Sequence, residues 1–439
     1  MRLSIYTYLF MRNNVCYLYN SQTGFLSTIP ISLYESLYNG DFDLIDKDAL
    51  ESLKEMKIVV EKEQLYDYYH ASRIEFFSSI GNTEKLSLVI APTTGCNFAC
   101  PYCFEGEKRE KRMSTDIINA LVVFINSYQE SKELEIIWFG GEPLTAFDIM
   151  TDIVSHIKKE CKIPITTQSI ITNGYLINDK VISFFKQNNF NDIQITFDGI
   201  EENHNKMRCL KGNLKPTYGK IMENVEKLAI EMPEDFKISL RINVNKENEQ
   251  DYAVMHKLIK GKFAHYKNVG TYPGFIREYN RKGNIICFKS LFGKARYNFY
   301  KKLKKEDVLI DFFPRIETKK SCMICHNNSL IIGPEGEIYK CWNDFNDPSR
   351  IVGYIMDKNI INPALLSQYA YDATIYGDQK CQNCKLFPVC DGGCGYLRHK
   401  NVFEGKKYNL CTFLSDDSIL EECLLAKAIE KGEEAVRAF

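Results

Sequence analysis

This chain of 439 residues has no excess of charge of either sign: 56 basic residues stand against 57 acidic ones, a formal net charge of -1. No global field would therefore gather nucleic acid or an anionic membrane surface. It also lacks any apolar run near the roughly 18 residues that a membrane helix needs. Leu3 to Met11 is mildly apolar, but Tyr and Thr interrupt it, Arg12 follows, and no small-residue cleavage site appears, so it reads as a strand rather than a signal peptide. Internal repeats and low-complexity segments are absent too. A cytoplasmic location is the expectation, with no nucleic acid and no membrane as partner. With 45% hydrophobic and 26% charged residues, the composition is that of a globular protein of two or three domains.

Cysteine is abundant. Sixteen of them in a reducing compartment are hard to explain as disulfides, and they are clustered. Three lie within Cys96 to Cys103 and eight between Cys322 and Cys411, whereas Cys16, Cys161, Cys209, Cys287 and Cys423 stand alone and read as small buried hydrophobes.

Along the chain, residues 1–65 read as a small α+β unit. Cys16 to Pro30 is strand, turn, strand, with Asn20 to Gly24 as the turn; a helix follows near Ile31 to Asn39, another over Lys47 to Met56, and a strand over Lys57 to Lys62. Residues 66–85 read as a linker helix. From Leu86 strands alternate with amphipathic helices: six strands (Leu86 to Ala91, Leu134 to Phe139, Ser169 to Thr172, Ile193 to Phe197, Lys237 to Val244, Asn268 to Phe275), the first five each followed by a helix. Such alternation requires parallel strands joined by right-handed crossovers, with ligands at the strands' carboxyl ends. A closed eight-stranded barrel takes about 250 residues; this shorter set predicts a partial (β/α)6 barrel over 86–290. A bridging region (291–320) with a basic helical stretch, a cysteine-rich domain (321–425) and a helical tail (426–439) complete the division.

Directly after the first strand comes Thr94-Gly95-Cys96-Asn97-Phe98-Ala99-Cys100-Pro101-Tyr102-Cys103-Phe104-Glu105. Three thiolates can ligate only three irons of a 4Fe-4S cubane, leaving one iron open to chelate a small molecule at the barrel mouth. A zinc knuckle is the alternative, although structural zinc takes four protein ligands and the nearest histidine, His70, lies well outside the loop. The segment resembles the radical S-adenosylmethionine superfamily, whose signature is three cysteines at this spacing with an aromatic residue before the last, here Tyr102. Gly140-Gly141-Glu142-Pro143 resembles that family's methionine-binding segment. Asn173 and Thr196 look like its ribose- and substrate-facing strand ends, joined by Asp198-Gly199 and His204. Arg208 suits the cofactor carboxylate, since a planar guanidinium matches a carboxylate fork.

Cys381, Cys384, Cys390, Cys394 and Cys411, with Cys322, Cys325 and Cys341 upstream, resemble the C-terminal iron–sulfur extension called SPASM. That resemblance implies two auxiliary 4Fe-4S clusters, one on Cys322, Cys325, Cys341 and Cys394 and the other on Cys381, Cys384, Cys390 and Cys411, making three clusters in all. Cys322 and Cys325 are closer together than in the best-known members, and a zinc ribbon is the alternative for these pairs.

The implied activity is reductive cleavage of S-adenosylmethionine to a 5′-deoxyadenosyl radical that takes a hydrogen atom from a substrate. Reduced flavodoxin or ferredoxin would be the donor. The N-terminal unit resembles in outline the winged-helix-like domains that take an extended leader peptide along a sheet edge, and Gly336 to Asp344 looks like peptide-maturing members. The expected substrate is thus a precursor peptide with a leader, modified by a thioether or carbon–carbon crosslink. Two alternatives stand: an anaerobic sulfatase maturase, in which an Asp follows the cysteine corresponding to Cys341 where this chain has Trp342, and a non-catalytic iron–sulfur or zinc electron carrier. No general base can be assigned. The basic groups Lys108 to Arg112 and Lys301 to Lys305 read as solvated helix faces, with contact to an acidic leader as the alternative.

Overall fold

The computed structural model describes residues 1–103, 110–276, 291–308, 314, 322–357 and 360–435. Cys287, Lys108 and much of the bridging region lie outside these. The N-terminal unit comprises β1 (Arg2–Leu3), β2 (Thr7–Arg12), β3 (Val15–Asn20), β4 (Phe25–Ile29), α1 (Ile31–Asn39), α2 (Lys47–Glu55) and β5 (Val59–Val60). β2, β3 and β4 form an antiparallel sheet, and β1 pairs with β5. The single strand expected over Leu3 to Met11 is broken by a turn in which Thr7 N–H donates to Ser4 O at 2.9 Å. The strand expected over Lys57 to Lys62 shrinks to two residues, because Lys57 takes a positive φ of 57° to close the turn after α2. α3 (Asp67–Ile80) lies where a linker helix is expected, and buries Tyr69, Phe76 and Ile80 in the main core.

The central part runs β6 (Lys85–Ile90), α4 (Thr115–Asn126), β7 (Glu133–Trp138), α5 (Phe147–Glu160), β8 (Ile165–Thr172), α6 (Asp179–Gln187), β9 (Phe190–Phe197), α7 (Glu201–Met207), α8 (Tyr218–Glu231), β10 (Lys237–Val244), α9 (Asp251–Lys262) and β11 (Val269–Phe275). Local chemistry starts the helices. Ser114 Oγ accepts from Ile117 N–H at 3.4 Å to cap α4, and Asn178 caps α6. Ile117, Ile118, Leu121, Val122 and Ile125 then bury one face of α4. Each such fully buried aliphatic side chain contributes about 1.5–3 kcal/mol. In the strands, Leu86, Leu88 and Ile90, Leu134, Ile136 and Trp138, and Ile193, Ile195 and Phe197 face the helices. The alternate residues Ser87, Glu135, Ser169, Asp192, Gln194 and Arg241 are half-buried on the opposite face.

The six parallel strands lie in sequence order, as expected, but the sheet does not stop at six. After α10 (Gly293–Lys305), β12 (Ser329–Ile332) pairs parallel with β6, and β13 (Glu337–Tyr339) and β14 (Gly353–Tyr354) add antiparallel strands, giving nine in all. The cysteine-rich segment therefore contributes strands to the central, mostly parallel sheet. It continues through α11 (Pro363–Ser367), α12 (Gln379–Gln382), α13 (Gly395–Phe403) and α14 (Asp417–Ala435). The N-terminal unit clasps its outer loop: Tyr8 Oη bonds Glu421 of α14 at 2.9 Å, Ser21 Oγ donates to Lys385 O, and Tyr66 Oη bonds Asn383 at 2.8 Å. Four members of the two basic groups form ion pairs within the protein, Lys111 with Glu335, Arg112 with Asp148, Lys301 with Glu422 and Lys304 with Glu430. Among the described residues no helix is long and apolar enough to cross a membrane.

Candidate active site at the rim of the parallel sheet

Register decides what meets at the rim. Ile90 pairs with Trp138, Trp138 with Ile170, Thr172 with Ile195, Phe197 with Ile242 and Val244 with Phe275, so the carboxyl ends finish together. The residues just past them, Thr93 to Cys103, Gly140 to Pro143, Asn173 and Asp198, converge.

The cysteine loop is held on both sides. Thr93 Oγ1 donates to Lys111 O at 2.7 Å and accepts from Gly95 N–H at 2.9 Å, while Ala99 N–H donates to Cys209 O at 3.0 Å and Lys211 N–H to Asn97 O at 2.8 Å. Phe98 N–H points at Cys96 Sγ, 3.4 Å away. Burial pushes the Cys100 thiol up to about 12, reinforced by Asp198, Cys96 and Cys103 and opposed by Arg208. A thiolate there needs a cation or a metal to hold it.

The Gly140–Pro143 segment docks on that loop by its backbone. Gly141 N–H donates to Thr93 O at 3.2 Å and Glu142 N–H to Gly95 O at 2.8 Å. Gly140 has φ of 119°, and a Cβ at either glycine would strike the carbonyls of residues 93–95, so only glycine fits. The Glu142 carboxylate, 1% exposed, accepts from Thr172 Oγ1 (2.7 Å), Asn173 N–H (2.7 Å) and Leu144 N–H (3.1 Å). Burial raises its pKa and these donors oppose the rise. Its side chain thus buckles the ends of β7 and β8 together, and a ligand contact at this position falls to the backbone.

Asn173 Nδ2 donates to Asn97 Oδ1 at 2.7 Å. Thr196 lies half-buried on the open face of β9, in register with Arg241. Arg208 donates to Tyr102 Oη at 3.0 Å, lies 3.9 Å from Asp198 Oδ1, and packs over the Phe98 ring at 5.6 Å. Burial works against its charge, and Tyr102, Cys100 and Asp198 more than restore it. Asn243, which sequence reasoning did not single out, donates to Asp198 Oδ1 at 2.9 Å. His204 is a positioning group: its Nδ1 accepts from Asp198 N–H at 3.4 Å, and its Nε2 lies 3.0 Å from Thr217 Oγ1, which itself donates to Arg208 O. Burial drives the imidazole neutral.

Three side-chain atoms on this rim, Asn97 Nδ2, Asp198 Oδ2 and Arg208 Nε, are buried without a hydrogen-bond partner. Native proteins rarely leave such atoms unpaired. A donor, an acceptor and a cationic donor left open beside three thiols fit a zwitterionic, polar ligand held next to an iron–sulfur cluster.

The two sets of C-terminal cysteines expected from the sequence are an inner one of Cys322, Cys325, Cys341 and Cys394 and an outer one of Cys381, Cys384, Cys390 and Cys411. Cys322, Cys341 and Cys394 lie near enough to act on one another electrostatically, as do Cys322 and Cys325. Asn343 Nδ2 points at Cys341 Sγ, 3.7 Å away. In the outer set Cys381 feels Cys390, and turn hydrogen bonds link Cys384 N–H to Cys381 O (3.2 Å) and Phe387 N–H to Cys384 O (3.0 Å). Gly392 N–H points at Cys390 Sγ at 3.4 Å, and buried Arg398 reaches Cys381 Sγ at 3.8 Å. The exposed Cys411 follows Leu410, whose carbonyl lies against Gly393. Among the described residues no three His, Cys, Asp or Glu side chains form a cage for a single metal ion. A cubane places one thiolate on each of its irons, so its thiols stand apart around a cluster. Amide and guanidinium donors aimed at sulfur suit that ligation. Lys340 and Arg398, both buried beside these thiols, escaped sequence reasoning; a charged residue next to or one helical turn beyond a cysteine was the available signal.

Residues 90–259 match the Radical SAM superfamily. The chain is similar to the cysteine-type anaerobic sulfatase-maturating enzyme of Clostridium novyi, 27% identical over 355 residues that cover 74% of this chain and 92% of that protein. The fold resembles that of anSMEcpe, solved with bound AdoMet and the Cp18Cys peptide, with a TM-score of 0.60 and 21% identity over 80% of this chain and 99% of that one. It also resembles SuiB of Streptococcus suis, solved bound to precursor peptide SuiA, with a TM-score of 0.50 and 12% identity over 94% and 99% of the two chains.

Proposed function

Because this chain carries a radical SAM domain, we propose that it modifies a leader-bearing precursor peptide by radical chemistry, working in the reducing cytoplasm with reduced flavodoxin or ferredoxin as electron donor. Cys96, Cys100 and Cys103 would hold a 4Fe-4S cluster with one open iron, and the two C-terminal sets would hold auxiliary clusters. When bound, cluster and S-adenosylmethionine supply a 5′-deoxyadenosyl radical that abstracts a substrate hydrogen.

The single observation that carries the reading is the trio of unpaired buried atoms around the thiols. Arg208 would take the cofactor carboxylate, with Tyr102 and His204 fixing its guanidinium and backbone. The carbonyl side of Gly140 to Pro143 would take the ammonium. Asn97, Asn173 and Thr196 would orient the ribose and adenine. Phe98 and the buried β7 end exclude water, which keeps a reactive species on its target.

The peptide substrate is supported by the N-terminal unit, whose three-stranded sheet leaves β2 and β4 each paired on one side among the described residues, and by the likeness to SuiB, solved with a precursor peptide. A second reading, formylglycine formation on a sulfatase, is favoured by the similarity to the Clostridium novyi enzyme. Against it stands Trp342, which packs edge-on to Phe139 with ring centroids 4.7 Å apart, where the maturases have an Asp.

Anaerobic reconstitution with iron, sulfide, S-adenosylmethionine and dithionite tests the reading. It expects 5′-deoxyadenosine, and a mass change in a co-expressed precursor peptide that disappears when the leader is removed. An aldehyde on a sulfatase Cys peptide in place of that mass change would establish the second reading, and the absence of 5′-deoxyadenosine would sink both.

A further inference from the structure

We infer that Lys340 is the resident counter-charge of the cluster held by Cys322, Cys325, Cys341 and Cys394, and that it sets that cluster's reduction potential. The inference rests on the ligation proposed for this set and names what tunes it.

Lys340 lies between β13 and Cys341 and is 3% exposed. Its Nζ donates to Ser329 O at 2.7 Å and to His326 O, which anchors the ammonium between the first residue of β12 and the residue after Cys325. Among the described residues no carboxylate pairs with it. A buried ammonium is ordinarily paired or driven neutral. Lys340 is the residue directly before Cys341 in the chain, and its carbonyl partners lie at and just before β12, one of them directly after Cys325.

The other charges near the auxiliary sets come with partners. Asp344, fully buried beside Cys341, lies 3.9 Å from Arg350 Nε and accepts from Tyr369 Oη at 2.9 Å. Arg398, beside the outer set, bonds Asp378 at 2.7 Å. Among the described residues Lys340, anchored to the carbonyl of the residue after Cys325, has no carboxylate within ion-pair distance to cancel its charge. Each electron added to a four-thiolate cluster adds one negative charge in a poorly screened site. A fixed cation next to the cluster would stabilise the reduced form more than the oxidised one and so raise the potential.

The test uses the full chain, reconstituted with iron and sulfide, in a Cys96→Ala, Cys100→Ala, Cys103→Ala background so that the rim contributes no signal. Potentiometric titration followed by electron paramagnetic resonance compares Lys340→Gln and Lys340→Arg with that background. Gln keeps two N–H donors for the carbonyls and removes the charge; Arg keeps the charge. The expected result is that one of the two couples moves to lower potential in Lys340→Gln and stays in place in Lys340→Arg, while the other couple moves in neither. No shift in a fully iron-loaded Lys340→Gln, or equal shifts in both variants, overturns the inference. A background chain carrying only one auxiliary cluster overturns the ligation reading and the inference with it. Should Lys340→Gln fail to load iron, Lys340→Met repeats the measurement. Failure of both neutral variants with loading in Lys340→Arg upholds the counter-charge, and failure of all three overturns it.

Discussion

The rim and the auxiliary region both carry thiols, but the charged side chains beside those thiols are paired differently. At the rim, three cysteines within one loop are surrounded by side chains with unpaired atoms on Asn97, Asp198 and Arg208. In the auxiliary region Arg398 donates to Gly392 O at 2.8 Å as well as to Asp378, and Asp344 is held by Tyr369 and Arg350. An incomplete polar shell is costly unless something fills it. On the proposed function, the rim would be where a ligand comes and goes and the auxiliary region would hold resident groups.

Breaking the rim should have the largest effect. Cys100→Ala is expected to abolish 5′-deoxyadenosine formation while keeping about eight of about twelve irons, read by chromatography and iron counting; retained cleavage would erase the contrast between the two regions. Next, Cys394→Ala should remove about four irons and leave 5′-deoxyadenosine formation in place while the peptide product is lost. Equal loss of both would mean that the rim depends on the inner set. Arg208→Lys keeps the charge but not the fork, and should raise the Kd for S-adenosylmethionine about 10–100-fold, measured by calorimetry on anaerobic holoenzyme.

The smallest effect sharpens the auxiliary side. Burial lowers the His399 pKa from 6.5 to about 4, with Arg350 adding to the fall. A depressed histidine gives stability that is complete above the unfolded value and declines as pH drops from there toward the folded one. Between pH 7.5 and 5.5 the native state should therefore lose about 1 kcal/mol. His399→Gln, which can still meet Gln368, should flatten that part of the thermal-stability profile; an unchanged slope would place the titration elsewhere.

Much of the architecture was legible because it is written locally. The helix expected over Ile31 to Asn39 and the strand expected over Lys237 to Val244 form over those residues, since periodicity and flanking turns act within a few positions. β12 escaped because what makes it a strand is Leu88 and Ile90 of β6, far away in sequence, and four residues carry too little period of their own. α7 escaped for a similar reason: Glu201–Met207 is short and mostly polar, and His204 is its one buried residue.

By itself the sequence determined the spacing of the thiols, the order of strands and helices, and the glycines that allow the Gly140–Pro143 segment to lie on the cysteine loop. Tertiary structure alone decided that Glu142 joins two strands, that Asn97, Asp198 and Arg208 meet at the rim, and that Lys340 lies buried against two carbonyls. Spacing and propensity are properties of neighbouring residues, whereas burial and electrostatic field are sums over everything that packs nearby, and those neighbours exist only once the chain has folded.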